Sequence, residues 1–299
     1  MAERTLMSFD WAIKKVLRHK ENFDVLEGFL SELLGFDVVI VNLLESEGNQ
    51  QSEKDKFDRV DILVQTQERE LMLIEIQYDD EIDYFHRMVY GVSKLITEYI
   101  HEGQPYGEIK KVYSINIVYF RIGQGKDYIY EYQGAFIGRK QKDILNPTKT
   151  QQKKYTIKKV ADIFPKYYIL RVGAFKPEQV VEPIDEWFYF LKKSEIKDSF
   201  KAKGMKRAKT VLDVERMSVE ERRAYQRHVE NRRIELSVTE TAFEKGAEKA
   251  ARQRNIEVAQ ESLKLGFSHE VVAQLSKLTL TEIEFLAEGK WIDFSAEDE

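Results

Sequence analysis

Two β-rich runs, Val60–Thr66 and Glu70–Gln77, flank the short polar segment Gln67-Glu68-Arg69, and this pattern predicts a tight antiparallel hairpin. With the turn centred on Glu68, residues whose numbers sum to 136 lie opposite each other, so Asp61 faces Glu75 and Arg59 faces Gln77. Side chains alternate along a strand, which puts these four on one face together with Leu63, Leu71 and Leu73. The other face carries Ile62, Val64, Ile74 and Ile76 and is apolar enough to pack against helices.

Around the hairpin the periodicity switches between helix and strand. Ser8 begins a first helix that runs to Arg18, and Asn22 or Asp24 begins a second that stops at Gly35. In the second, Phe23, Leu26, Leu30, Leu33 and Leu34 form a stripe into which Glu27 falls, an unusual inward place for a carboxylate. Val38–Leu44 reads as a strand, and Phe85, Met88, Val89, Val92, Leu95, Ile96 and Tyr99 recur at helical spacing within 81–101, where Arg87 and Lys94 share a side. Further strands are predicted at 112–120 and 128–138. Beyond Pro183 the chain turns helical: Trp187–Leu191 reads as core, 218–254 as a long charged helix, and Ser268 and Thr279 or Thr281 as caps of two short final helices. The expected boundaries are a main domain 1–195, a charged helical arm 196–255 and a small helical unit 256–299.

The opposed acids are the centre of the chemistry. Directly opposed Cβ atoms in a sheet are about 5 Å apart, and two carboxylates at that distance repel by roughly 3 kcal/mol at an effective dielectric near 20. A positive group between them removes that cost, and hard oxygen ligands on adjacent strands suit Mg²⁺ or Mn²⁺. The leucines on the acidic face make an unpaired acid there expensive.

Asp61, the hairpin and Ile74-Glu75-Ile76-Gln77 resemble the core of the PD-(D/E)XK nuclease superfamily, in the branch of the PD-(D/E)XK nuclease family transposases or Rpn-type recombination-promoting nucleases. The likeness continues through Asp83–Met88, Gly103–Tyr106, Lys111–Ile117 and Asp185–Lys192. The resemblance implies an α/β fold, a restriction-endonuclease-like central mixed sheet flanked by helices, here with an all-α C-terminal extension. It implies Asp61, Glu75 and Gln77 as catalytic residues, with the metal on Asp61, Glu75 and the Ile76 carbonyl, and Glu27 or Asp10 as a further ligand. Gln77 stands where the superfamily name has lysine. An amide orients a water but supplies no cation, so transition-state charge falls to the metal, Arg87, Lys94 or Arg59.

Composition narrows the classes. The chain of 299 residues has no cysteine, which excludes disulfides and thiolate chemistry and fits a reducing cytoplasm, the expected compartment. The five histidines show no zinc-ligand spacing, and no apolar run is long enough to cross a bilayer. The net charge of −5 hides two basic stretches. Residues 139–159 hold eight Lys/Arg, including Arg139, Lys140 and Lys142, against one acid, and 192–209 hold eight against two. With Arg59, Arg87 and Lys94 they are the candidate DNA contacts. The expected function is a metal-dependent DNA endonuclease, linked to mobile elements and self-associating through its C-terminal helices. The alternative is a catalytically weak nuclease-fold protein that binds DNA or oligomerises. A hairpin-borne acid pair argues against an RNase H-like transposase core.

Overall fold

The computed structural model describes residues 6–44, 60–99 and 105–290, which fall into two compact units divided between Glu220 and Glu221. The first is built on a six-stranded mixed sheet in the order β1-β2-β3-β4-β6-β5. Its strands are β1 (Ile40–Leu44), β2 (Val60–Thr66), β3 (Leu71–Gln77), β4 (Val112–Val118), β5 (Ile129–Glu131) and β6 (Lys166–Arg171). β1, β2 and β3 pair antiparallel, β3, β4 and β6 pair parallel, and β5 closes the far edge antiparallel to β6.

The β2–β3 register pairs Asp61 with Glu75 and Leu63 with Leu73, the alignment that the hairpin pattern predicts. The turn holds because Arg69 takes a left-handed conformation (φ 64°) and Thr66 receives the Glu70 amide on its hydroxyl at 3.2 Å. Helix α1 (Phe9–Lys15) lies against β2, and α2 (Phe23–Leu34) ends where Gly35 turns left-handed (φ 73°). Helix α3 (Tyr84–Glu98) covers one sheet face, packing Val92 and Leu95 on Leu63, Leu71 and Val112. On the opposite face Ile62, Val64, Ile74 and Ile76 are fully buried.

The sheet departs from the sequence expectation on its far side. β5 keeps three residues of the run expected over 128–138, and β6, a strand the periodicity does not single out, sits between β4 and β5. Lys166 and Arg171 bracket its short Tyr167–Leu170 core, so neither alternation nor a long apolar run marks it. Helix α4 (Lys149–Tyr155) forms inside the lysine-rich stretch, started by a capping box of Thr148 and Gln151.

Helix α5 (Pro183–Lys193) joins α1 and α2 through an edge-to-face aromatic cluster of Phe9, Phe29, Trp187 and Phe190, with ring centroids 5.4–6.4 Å apart. Two acids from its first turn are structural. Asp185 accepts from Tyr128 and from the Val181 and Glu182 amides at 2.8 Å, and Glu186 accepts the Lys201 and Ala202 amides at 2.7 and 2.6 Å. That brings helix α6 (Met205–Val211) onto α2, where Gly28 faces Gly204 so closely that an added Cβ would stand 2.6 Å from the Gly204 Cα.

The second unit is all-helical. It takes up α7 (Val219–Lys264), a 46-residue helix, followed by α8 (His269–Ser276) and α9 (Leu280–Ala287). Ile256, Ala259, Val272, Leu278 and Ile283 form its small core, and Arg252 pairs with Glu282 across it. Thr279 caps α9 in a capping box with Glu282. Among the described residues no helix is long and apolar enough to cross a membrane. Because backbone stands where a Gly28 Cβ would go, Gly28→Ala is expected to cost roughly 1–3 kcal/mol, read as a lower urea midpoint at unchanged slope.

Candidate active site

Glu75 lies near the middle of the sheet, opposed to Asp61 on β2 and level with Asn116 on β4. Its side chain faces α3, and the residue is only 7% exposed. A carboxylate so placed needs a counter-charge, and Arg87 provides one. One guanidinium nitrogen pairs with Glu75, while the other donates to both Glu81 oxygens at 2.8 and 2.9 Å. The guanidinium carbon also lies 5.6 Å from the Tyr84 ring centroid.

Gln77, two residues along β3 and on the same face, is 2% exposed. Its amide nitrogen donates to Glu81 Oε1 at 3.1 Å and to the Asp79 carbonyl at 3.4 Å. Only the NH₂ end can donate to a carboxylate, so these bonds fix which way the amide points. Its oxygen is turned away, buried, and without a hydrogen-bond donor among the described residues. Below Glu75 the floor is tied off: Tyr84 donates to Asn116 Oδ1 at 3.2 Å, and Asn116 Nδ2 donates to Ser114 Oγ at 2.9 Å and to the Tyr168 carbonyl at 3.1 Å.

The structure gathers some of the residues singled out in the sequence and scatters others. Glu75, Gln77 and Arg87 meet in one cluster, and Asp61 stands opposite Glu75 in the backbone register. Ile76 pairs with Val60 on one side and Ile117 on the other. Asp10 is buried in α1, the helix against β2. Glu27 is committed elsewhere: it accepts the Ile40 amide at 2.7 Å, and Ile40 pairs with Thr66 at the turn end of β2, five residues and about 17 Å along the strand from Asp61. Lys94 pairs with Glu98 at 3.6 Å. Arg139, Lys140 and Lys142 are exposed in the loop after β5, whose strand lies three places from β3. Arg59 lies outside the described residues.

Three members of the cluster were not singled out by sequence. Tyr84 and Asn116 sit inside segments that carry the family resemblance, and Asn116, with Ser114, is one of two small polar residues in an otherwise apolar strand, which is a readable signal. Glu81 precedes its helix in an acidic run, where nothing distinguishes it from its neighbours.

As for a metal, the donors are hard oxygens, the Glu75 carboxylate and an aspartate at the opposed position, with the orphaned Gln77 amide oxygen beside them as an acceptor for water. These fit Mg²⁺ or Mn²⁺, which take few protein ligands and keep their waters. Among the described residues no group of three or more His, Asp or Glu forms a ready-made cage.

A second titratable group lies at the other end of β3, about 16 Å along the strand. Tyr113 donates to Glu70 at 3.3 Å, and burial raises the Glu70 carboxyl despite that bond. Burial, aided by Lys166, pushes the Lys111 ammonium down to about 8.

An antiparallel hairpin with an aspartate opposed to a buried glutamate, on a mixed sheet flanked by helices, fits a nuclease-fold protein. The chain belongs to the PD-(D/E)XK nuclease family transposases, whose family model matches residues 7–242. Neither the curated proteins nor the solved structures include a match to it.

Arg87→Gln leaves Glu75 buried without its guanidinium and is expected to cost about 2–3 kcal/mol in denaturant unfolding, most of which the added change Glu75→Gln recovers. The unfolded chain keeps Lys111 protonated between about pH 8 and 10 while the folded chain releases that proton. Lys111 therefore contributes stability that grows with pH across that window, and Lys111→Met removes that contribution in melts at stepped pH.

Proposed function

We propose that this chain hydrolyses DNA phosphodiester bonds with a divalent cation held by Asp61, Glu75 and the Ile76 carbonyl. The observation that carries the reading is the Gln77 amide oxygen, buried, fixed in direction and in need of a donor, on the face of β3 that holds Glu75. Such an oxygen accepts a hydrogen bond from an attacking water and positions it beside the acid pair. When bound, Mg²⁺ or Mn²⁺ lowers the pKa of a coordinated water and shields the charge that develops on the phosphoryl oxygens. Arg87 holds the Glu75 carboxylate in place and keeps a cation beside the reaction, which the neutral Gln77 cannot supply. Asp10, in the helix against the Asp61 strand, is the remaining candidate for a further ligand. Phosphate contacts fall to Arg59, Lys94 and the Arg139, Lys140, Lys142 loop. Self-association belongs to the same reading: Leu236 and Phe243, exposed and seven residues apart on α7, lie on one helix face.

A second reading draws on the Arg87–Glu75 pair itself. A guanidinium already satisfies Glu75, so a chain that only binds DNA or oligomerises is stable with this cluster closed and needs no metal.

A plasmid assay separates the two. Supercoiled DNA is expected to be nicked or linearised with Mg²⁺ or Mn²⁺ and left intact in EDTA, and Asp61→Asn and Glu75→Gln each to slow cleavage by at least about a hundredfold. Cleavage at the parent rate by both variants overturns the assignment. DNA retention without cleavage under either cation establishes the second reading.

A further inference from the structure

On the flank of α3 away from Arg87 lies a groove of about 1240 Å³, lined by Phe85 and Val89 of the helix and by residues of the β5–β6 side, Tyr132, Phe136 and Phe164 among them. It exceeds the roughly 300–1,000 Å³ usual for small-molecule sites, so its natural occupant is a chain. Aromatic rings remain open along it: Phe85, Tyr132, Phe136 and Phe164 are 46–61% exposed, and Phe136 and Phe164 stand 5.4 Å apart between centroids. The walls are anchored. Lys111 donates to the Ala161 carbonyl at 3.2 Å and to that of Phe164, and Asp162 accepts the Lys158 and Lys159 amides at 2.9 and 2.8 Å.

Charge says what covers these rings. Both acids of the groove are committed, Asp162 to those amides and Glu131 to Lys166 at 3.0 Å and the Tyr168 hydroxyl at 3.2 Å. The strands of backbone that carry Phe136 and Leu145 are tied together by an amide–carbonyl bond of 2.9 Å, and Arg139, Lys140 and Lys142 form the tip between them. Beyond the tip, α4 adds Lys149, Lys153 and Lys154. The span 139–159 thus sets eight cations against one acid in the segment that follows Phe136 and supplies Ile144, Leu145 and Lys159 to the groove. Flat apolar faces next to a line of cations match a polyanion whose own flat faces are uncovered, and duplex DNA hides its base faces in the stack. An apolar peptide has no use for the cations, and a second copy of this chain would bring carboxylates to them but no row of uncovered flat faces for the rings.

We propose that this groove holds unpaired, single-stranded DNA, its bases against Phe136 and Phe164 and its phosphates along the 139–159 cations. The proposal deepens the nuclease reading and rests on DNA being the substrate. Helix α3 separates the groove from the Glu75 cluster by about one helix diameter, roughly 10 Å. A strand seated in the groove therefore presents its neighbouring nucleotides to the acid pair, and substrates with frayed, looped or displaced strands are preferred.

The test is fluorescence anisotropy of the full chain in EDTA, with a labelled oligothymidine of about 12 nucleotides and a duplex of the same length. The single strand is expected to bind about tenfold more tightly than the duplex, and Phe136→Ala and Phe164→Ala each to weaken it about tenfold while leaving duplex binding unchanged. Lys140→Ala with Lys142→Ala is expected to weaken both and to lower the salt dependence. Phe136→Trp retains binding, and its added fluorescence is quenched by the strand, a readout that stands even where an alanine variant does not fold. Equal affinity for strand and duplex with indifferent aromatic variants overturns the proposal. So does sedimentation showing that Phe136→Ala dissociates an oligomer without altering strand binding, which would make the groove a contact between copies. The two proposals fail separately: strand binding through Phe136 in a parent chain that cleaves no DNA with Mg²⁺ or Mn²⁺ refutes only the nuclease reading, and metal-dependent cleavage with no role for Phe136 refutes only this one.

Discussion

A carboxylate placed in the middle of a sheet and covered by a helix must be met by a cation, and Arg87 meets Glu75. That requirement organises the first unit. It fixes the rotation of α3 on the sheet, because the turn that carries Arg87 has to stand over β3. It recruits Glu81 from the segment that leads into the helix, and Glu81 in turn orients Gln77. Through Tyr84 and Asn116 the same helix is tied to β4 and to the carbonyl of Tyr168 on β6. A buried pair of this kind adds little stability over an apolar core but costs heavily when one partner is lost, so it specifies an arrangement more than it strengthens one.

The hairpin was legible in the sequence because two constraints agree. A three-residue polar turn sets the register, and a one-residue slip would bury Asp61 and Glu75 among Ile62, Val64 and Ile74 on the opposite face. The second helix, its glycine stop and the two final helices were legible for the same kind of reason, since their caps and stripes are local. β6 was not, because a four-residue core between a lysine and an arginine becomes a strand only when β4 and β5 are present to pair with it. Glu27 shows the limit of reading a face. Its inward position is real, but the group waiting for it is the Ile40 amide of the first strand. Periodicity tells that a side chain turns inward and says nothing of what it meets there. Glu81 and the Arg87 bridge depend on three segments meeting, information that no window of sequence contains.

The basic stretch and the acid pair divide the molecule electrostatically. One of the two basic stretches of this acidic chain lies in the loop after β5 and in α4, while Glu75, Glu81 and the Asp61 position gather at β2, β3 and the approach to α3. A polyanion is drawn to the first and repelled from the second unless a cation screens it.

Helix α3 carries Arg87 and Lys94 on one side and Phe85 and Val89 on the other, with its buried edge between them. A single rod forms a wall of two compartments, so whatever rocks it toward one narrows the other. Thermodynamic reciprocity then binds the compartments together: by whatever factor an occupant of the aromatic side alters affinity for an ion among the acids, the ion must alter affinity for that occupant equally. Under the two proposals, any cooperativity between the ion and the strand would run through this one helix.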